Sequence, residues 1–272
     1  MIPNGPYTKS QLARALNFHR ASFYWKSRQA RKDKVVAVAI EAQHERDDTL
    51  GHRKLAVLLH LGKNRVKRVM RKYGISARRK KKRSIYPGKA AHIAPNLVRE
   101  LKEDADAEVL FSDIFELQLA DGSKVRGCFA LWKRTRQIVA LSFDYRMQAE
   151  LVVSTVKSLQ FCIPGMIWHS DQGSQYGAEQ TRTALLERGF QLSMSRAGTP
   201  TDNGYAERFV GSFKLAVAER QPYQTLGEFL RAAEAWVNFY NQERPHESLG
   251  YLSPQHYAEE HHLPTISSVP TR

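Results

Sequence analysis

Apolar positions in the first third of the chain recur at the spacing of short amphipathic helices. Thr8 and Gln11 form a capping-box pattern at the start of one such helix. After a break, we predict a second helix from about His19, with Phe23 on its buried side. Two short helices with a turn between them indicate a helix-turn-helix-like unit over residues 1–28.

A second helix-turn-helix pattern follows in residues 29–83. A short helix ends near Gly62, and a longer helix runs from there until Gly74 stops it. The longer helix has an apolar stripe at the positions i, i+3, i+4 and i+7, which are Val66, Val69, Met70 and Tyr73. The remaining faces of this helix are strongly basic.

After about residue 105 the pattern changes to buried strands that alternate with helices. Three strands come first, joined by a hairpin at Asp121-Gly122 and a basic turn at Lys133 to Arg136. We then predict a helix at 149–159, a strand at 166–171, a helix at 177–188, a strand at 190–194, and helices at 203–219 and 226–241. This order is that of the ribonuclease-H-like fold, in which strands one and four are neighbours at the sheet centre. The predicted fold class is therefore α/β, a ribonuclease-H-like catalytic core preceded by an all-α basic helix-turn-helix region.

Three acidic residues fall at one place in this order of elements. Asp113 lies in the first strand, Asp171 ends the fourth, and Glu207 lies near the start of the helix after the fifth. Because three unpaired carboxylates repel each other, their convergence indicates a cation site. Oxygen-only ligands favour Mg²⁺ or Mn²⁺ over zinc, and two such ions can act on one phosphodiester. For Asp171 alone, an ordinary Asp-Gln-Gly turn is the competing interpretation.

Positive charge is concentrated in the first third of the chain. Residues 1–90 hold 24 Lys and Arg against 5 Asp and Glu, whereas the rest hold 18 against 22, for a net charge of +15. A basic module attached to a slightly acidic one indicates binding to double-stranded DNA. A solvated basic face and a membrane-surface segment are the alternatives, and the latter lacks a broad apolar face. The candidate DNA contacts are Lys63, Arg65, Lys67, Arg68 and Arg71 on the basic helix, and Arg78, Arg79, Lys80, Lys81, Lys82 and Arg83 after it.

These features divide the chain into five predicted parts. They are a helix-turn-helix-like segment (1–28), a second helix-turn-helix with the basic run (29–83), a linker (84–105), the catalytic core with its C-terminal helices (106–257) and a tail (258–272). No apolar run has membrane-spanning length and no secretory signal is present, so we expect no membrane partner. Cys128 and Cys162 fit buried thiols better than a disulfide or a metal site.

Several motifs occur together in a fixed order and resemble a known family. They are FSDIF, HSDQGSQYG, SMSRAGTPTDNGYAERFVGSFK and FYNQERPHESLGYLSPQHY. The chain resembles, from about Leu50 to Tyr257, the catalytic frame of bacterial insertion-sequence transposases, in the family whose enzyme is made by fusing two reading frames. That family lies within the retroviral-integrase-like DDE recombinases. The resemblance implies that Asp113, Asp171 and Glu207 are the catalytic metal ligands. The 35 residues between the last two are the spacing typical of the family.

The resemblance implies a DNA transposase that binds the terminal repeats of its own element and performs Mg²⁺-dependent strand cleavage and strand transfer. Water would be the first nucleophile and the freed 3′-OH the second, with a circular intermediate. It also implies a homo-oligomer on element and target DNA, an upstream-frame protein as a further partner, and a bacterial cytoplasmic protein that joins the nucleoid when bound to DNA. Two alternatives stay open. One is a nuclease that only hydrolyses, and the other is a non-catalytic DNA-binding repressor, against which the three acids argue.

The sequence also supports predictions for three further residues near the acids. Lys214 follows Glu207 by seven positions, about two helical turns, so both share one face roughly 10 Å apart along the axis. We expect Lys214 to meet a phosphate near the cleavage point, with a solvated lysine as the alternative. We expect His169 to hydrogen-bond to Asp171 rather than to bind metal, and Asp202 to cap the following helix.

Overall fold

A computed structural model describes residues 7–23, 28–79, 92–101, 108–146, 148–266 and 269. A helical N-terminal region precedes an α/β core, as predicted. The helices are α1 (Lys9–Ala15), α2 (Arg28–Arg46), α3 (His52–Leu58), α4 (Lys63–Tyr73), α5 (Ala149–Ser158), α6 (Glu179–Glu187), α7 (Gly204–Phe213), α8 (Leu226–Gln242) and α9 (Pro254–Glu260). None of the helices in the described ranges has both the length and the apolarity needed to cross a membrane.

The first predicted helix-turn-helix forms only in part. Helix α1 begins at the predicted capping box, in which the Gln11 amide donates to Thr8 Oγ1 at 3.3 Å. The second helix differs from the prediction, because the chain forms a single 3₁₀ turn at Arg20–Phe23. His19 Nδ1 accepts a hydrogen bond from the Ala21 amide, and such local side-chain bonds compete with a helical start.

The second helix-turn-helix pattern forms two helices, α3 and α4, with a short turn between them. Helix α4 buries Val66, Val69 and Met70 and ends at Gly74, whose φ of 69° is the left-handed conformation that favours glycine. Tyr73 was expected in the buried stripe, but it is exposed at the last position of the helix, where the core surface no longer covers it. Helix α2 packs on α4 and extends the unit to three helices.

Among the described residues, five strands form one sheet in the order β3-β2-β1-β4-β5. Their bounds are β1 (Val109–Gln118), β2 (Lys124–Trp132), β3 (Ile138–Asp144), β4 (Ile167–Ser170) and β5 (Gln191–Met194). Strands β1 and β2 are antiparallel, whereas β1 and β4 are parallel. The prediction that strands one and four are neighbours is therefore confirmed. The β1–β2 turn contains Gly122 at a φ of 87°, as an Asp-Gly hairpin requires.

The two faces of β1 meet different helices because successive side chains in a strand point to opposite sides. On one face, Ser112 lies against Cys128 on β2, whose carbonyl oxygen accepts a hydrogen bond from Thr155 of α5. On the other face, Phe115 packs on Phe213 of α7 with ring centroids 5.3 Å apart. Asp113 has the same parity as Phe115 and therefore lies on the α7 face.

Candidate active site

The sheet register brings the first two acids together. Phe111 on β1 is paired with His169 on β4, and the two strands run parallel. Two residues further along each strand lie Asp113 and Asp171, the latter directly after the end of β4. Asp113, in the middle of β1, therefore lies beside the carboxyl end of β4, and open α/β sheets commonly bind ligands at the carboxyl ends of their strands.

Aromatic contacts place α7 across this edge. Tyr205 packs on Phe111 and Phe213 packs on Phe115, with tilted rings whose centroids are 4.8 Å and 5.3 Å apart. The helix thus runs along β1, and its stretch between the two contacts passes over Asp113. Glu207 is exposed in the first turn of this stretch.

The electrostatics of Asp113 show that the acids act on one another. Burial, then the negative charge of Asp171 and that of Glu207, together raise the pKa of Asp113 to about 7, against the opposing effects of its hydrogen bond from the Ile114 amide and the charge of Lys214. Burial also raises the pKa of Asp171, against the opposing hydrogen bond from the Gly173 amide. The positive charge near Asp113 therefore does not fully balance the negative charges of the acids.

The donor set fits a hard divalent cation. The three acids offer carboxylate oxygens, which Mg²⁺ and Mn²⁺ prefer, and a bound cation would relieve the repulsion that raises the pKa of Asp113. Within the described ranges, no three Asp, Glu, His or Cys side chains already stand in position to hold a metal ion. Because Glu207 is exposed, its side chain can adopt another rotamer without a clash with closely packed neighbours.

Two expectations about the neighbours of the acids were wrong. His169 does not bond Asp171; its two ring nitrogens lie 2.8 Å from Ser193 Oγ and 3.0 Å from Ser195 Oγ. His169 is buried against the ring of Phe111, with ring centroids 5.3 Å apart, and burial lowers its pKa to about 4. Asp202 does not cap α7, because Arg196 engages both of its carboxylate oxygens in an ion pair.

Sequence reasoning missed Asn203, which ties α7 to β1. Its Nδ2 donates to the backbone oxygen of Ser112 at 3.1 Å, and its Oδ1 is buried without a hydrogen-bond partner among the described residues. The only signal in the sequence is the Asp-Asn-Gly run before the helix, which is also an ordinary turn pattern. Tyr176 is also buried beside the acids, with its hydroxyl 2.8 Å from Ser112 Oγ.

Lys214 lies on the acid side of α7. The α-helix changes to a π-helical turn at Lys214–Ala218, so the register predicted from a regular helix holds only up to this residue. Lys214 Nζ is 5.9 Å from the centre of the Phe115 ring, and its charge acts on Asp113. A cleft of about 1230 Å³ between α5 and α6 contains none of these residues.

The predicted DNA contacts divide into exposed residues and residues with internal partners. Lys63, Lys67, Arg71 and Arg79 are exposed, and Arg65 is half-buried. Arg68 instead forms two hydrogen bonds of 2.7 Å with the buried carboxylate of Asp33. Arg78 donates to the backbone oxygens of Leu215 and Glu219. The remaining predicted contacts, Lys80, Lys81, Lys82 and Arg83, lie outside the described residues.

Comparison with known proteins identifies the family. Two models, each described as an integrase core domain, match residues 103–200 and 188–254, which together span more than half of the chain. The transposase of insertion sequence element IS904 from Lactococcus lactis is 29% identical over 246 residues, 85% of this chain and 96% of that protein. The chain belongs to the DDE transposases of insertion sequences. The InsK protein of IS150 from Escherichia coli shows similar relatedness, with 26% identity over 274 residues and 96% of each chain.

A solved structure supports the fold of this transposase-family chain. A chain of the simian T-cell lymphotropic virus intasome, determined in complex with PP2A regulatory subunit B56 gamma, aligns with a TM-score of 0.50. The alignment has 15% identity and covers 81% of this chain and 77% of that one. The core is thus the ribonuclease-H-like integrase domain that the order of elements predicted.

Proposed function

We propose that this protein binds the terminal repeats of its own insertion sequence and catalyses metal-dependent DNA cleavage and strand transfer. The observation that supports this most is the placement of Asp113 and Asp171 on neighbouring parallel strands under the helix that presents Glu207. The repulsion that Asp171 and Glu207 exert on Asp113 favours a cation among the three carboxylates.

In this proposal the three acids hold two Mg²⁺ or Mn²⁺ ions. When bound, such ions stabilise the attacking and leaving oxygens of a phosphodiester. The chain's own residues position the acids: the Gly173 amide orients Asp171 through a 3.0 Å hydrogen bond, and Asn203 fixes the start of α7. Lys214 contacts a phosphate of the scissile strand, since its ammonium lies near Asp113.

The helical region supplies DNA recognition in the same proposal. Helix α4 is the second helix of a helix-turn-helix, the one that enters the major groove in such units. Its exposed Lys63, Lys67 and Arg71 are available for phosphates or base edges. Element ends, target DNA and a second copy of the chain on DNA are the partners that this function requires.

Strand transfer is the activity that distinguishes this function from simple hydrolysis. Purified protein is incubated with Mg²⁺, DNA carrying the ends of its element and a supercoiled target plasmid. We expect nicked ends first and then products in which an element end is joined to DNA. Nicking without joined products would support a nuclease, and specific binding to the ends without nicking would support a repressor.

A further inference from the structure

The motif that contains Glu243 to Glu247 joins the core to the helical region. Arg244 Nε is 2.7 Å from the carboxylate of Asp47, which follows α2, and both side chains are buried. Arg53 of α3 pairs with Glu247 at 2.8 Å, and Arg46 pairs with Glu243 at 2.6 Å. We call the region between α3 and this motif the α3 seam.

Positive charges gather in the α3 seam. The charges of Arg244, Lys54 and Arg136 reinforce burial in lowering the pKa of His246. The charges of Arg244 and Arg136, together with that of Arg208, also act on the hydroxyl of Tyr240, whose ring lies 4.8 Å from the ring of His246. The geometry agrees, because Arg136 Nε donates to Ser248 Oγ at 3.4 Å, and Ser248 directly follows Glu247, the partner of Arg53 on α3.

The acids nearby do not balance these charges. Asp47 is already paired with Arg244, and Glu247 is paired with Arg53. Among the described residues, Lys54, Arg136 and Arg208 form no ion pair with a carboxylate. Burial is the main cause that lowers the pKa of Lys54 to about 7; the charges of Arg244 and Arg208 lower it as well, whereas those of Asp47 and Glu247 oppose the shift. His246 Nε2 is also buried, without a hydrogen-bond partner in the part of the chain that the structure describes.

The seam borders the face that contains the acids. The guanidinium carbon of Arg136 lies 4.2 Å from the centre of the Tyr205 ring. Tyr205 packs in turn on Phe111 of β1, with ring centroids 4.8 Å apart. Arg208 is exposed and directly follows Glu207 in α7. The positive residues of the α3 seam therefore include one, Arg208, that is the sequence neighbour of Glu207.

The seam is also continuous with the basic recognition unit. A groove of about 690 Å³ lies beside α3. It is lined by Arg53 at the start of α3, His60 after its end, Lys63 at the start of α4 and Tyr251 of the C-terminal segment. Arg53 is the neighbour of Lys54 in sequence. Basic groups thus extend from α4 along α3 to α7. A DNA backbone that runs from the helical region to the catalytic core would require such a path.

We propose that Lys54, Arg136 and Arg208 form a backbone-phosphate site for the DNA duplex between helix α4 and the catalytic acids. Clustered cations without matching acids are unfavourable in the free protein, and a phosphate diester supplies the missing charge. This inference rests on the proposed DNA-transposase function and adds a binding site to it.

The test uses the full-length protein and a fluorescent duplex that contains an element end. Lys54→Met and Arg208→Gln remove charge from the site, and Lys157→Met on α5 and Arg231→Gln on α8 remove the same charge from exposed positions elsewhere. Dissociation constants are measured over a series of salt concentrations, together with the melting temperature. We expect each site variant to bind several-fold more weakly and to lose about 0.9 from the salt slope, the value of one phosphate contact. The melting temperature of Lys54→Met should equal or exceed that of the wild type, because an uncompensated charge is removed.

The outcomes separate this inference from the function on which it rests. Unchanged salt slopes in both site variants, with normal wild-type binding, would overturn the phosphate site alone. A lower melting temperature of Lys54→Met with an unchanged slope would make Lys54 a structural residue. Absence of any preference of the wild type for element ends would contradict the proposed function itself.

Discussion

Asn203 donates a hydrogen bond of 3.1 Å to the backbone oxygen of Ser112, one residue before Asp113. This bond connects the residue that precedes α7 to the central strand of the sheet. Glu207 follows on the first turn of α7, and Asp113 follows Ser112 on β1. This buried amide therefore acts together with the aromatic contacts of α7 to set the distance between the two acids.

Replacement of Asn203 by alanine should loosen the placement of Glu207. The Ser112 oxygen would lose its buried donor, which costs about 1–3 kcal/mol of folding free energy. We expect cleavage at saturating DNA to fall roughly 10- to 100-fold, because small displacements of catalytic groups have effects of this size. Binding to element ends should stay near the wild-type value.

Asn238→Ala is the matched control, since Asn238 is half-buried on α8 and away from the acids. The two variants are compared by single-turnover cleavage and by urea unfolding. Wild-type cleavage by Asn203→Ala would show that its hydrogen bond does not position the helix.

Lys214 should act through its charge. Lys214→Ala should lower cleavage and strand transfer about tenfold or more, because a charge-assisted hydrogen bond contributes about 1.5–3 kcal/mol. Lys214→Arg should retain much of the activity, since either cation can contact a phosphate. Both rates are measured at physiological salt against Lys157→Ala. If Lys214→Ala cleaves at the wild-type rate, this residue is a solvated lysine.

The basic residues of α4 should separate into two classes. Lys67→Gln and Arg71→Gln should weaken binding to element ends and should each lower the salt slope by about 0.9. Arg68→Gln should mainly lower the melting temperature, because Arg68 is bonded to the buried Asp33 carboxylate. Fluorescence anisotropy and thermal unfolding of the full-length protein measure the two effects. A reduced salt slope with an unchanged melting temperature for Arg68→Gln would contradict this division.

Asp33 should make the stability of the helical region depend on acid pH. Hydrogen bonds from Arg68 and then Gln29 hold the pKa of Asp33 far below its usual value. Because the folded-state pKa is lowered, its stabilisation is present above the unfolded pKa of about 3.9 and is lost as pH falls below it. Asp33→Asn should therefore unfold at a lower temperature than the wild type at pH 7.

The control for this prediction compares the melting temperatures of Asp33→Asn and the wild type at low pH. The difference between Asp33→Asn and the wild type should shrink as the pH is lowered from 5 toward 2, measured by circular dichroism. A difference in melting temperature that is the same at all these pH values would show that the ion pairs with Arg68 and Lys72 contribute nothing.

Local sequence patterns predicted the core elements well because each signal was complete within a short window. The alternation around Asp113 and the apolar run before Asp171 both predicted strands, and the structure forms β1 and β4 there. Helix α4 was equally clear, with a regular stripe and a terminal Gly74. The order of these elements was then sufficient to place the first and fourth strands side by side.

What the sequence did not reveal depends on partners that are distant along the chain. Helix α2 has many charged residues, and its buried side became evident only from its packing on α4. Arg68 and Arg78 match the pattern of DNA contacts in the sequence, whereas their partners Asp33 and Leu215 lie 35 and 137 residues away along the chain. His169 likewise bonds two serines that follow β4 only after a full helix.

Cleavage by single-acid variants is the most direct test of the central claim that Asp113, Asp171 and Glu207 form one metal-dependent active site. Asp113→Asn, Asp171→Asn and Glu207→Gln are assayed with Mg²⁺ on element-end DNA, beside Asp144→Asn, which changes an exposed acid at the end of β3. We predict that each of the three variants loses cleavage while it binds element ends with nearly wild-type affinity, and that Asp144→Asn cleaves normally. Near-normal cleavage by any one of the three would remove that residue from the site and contradict the account.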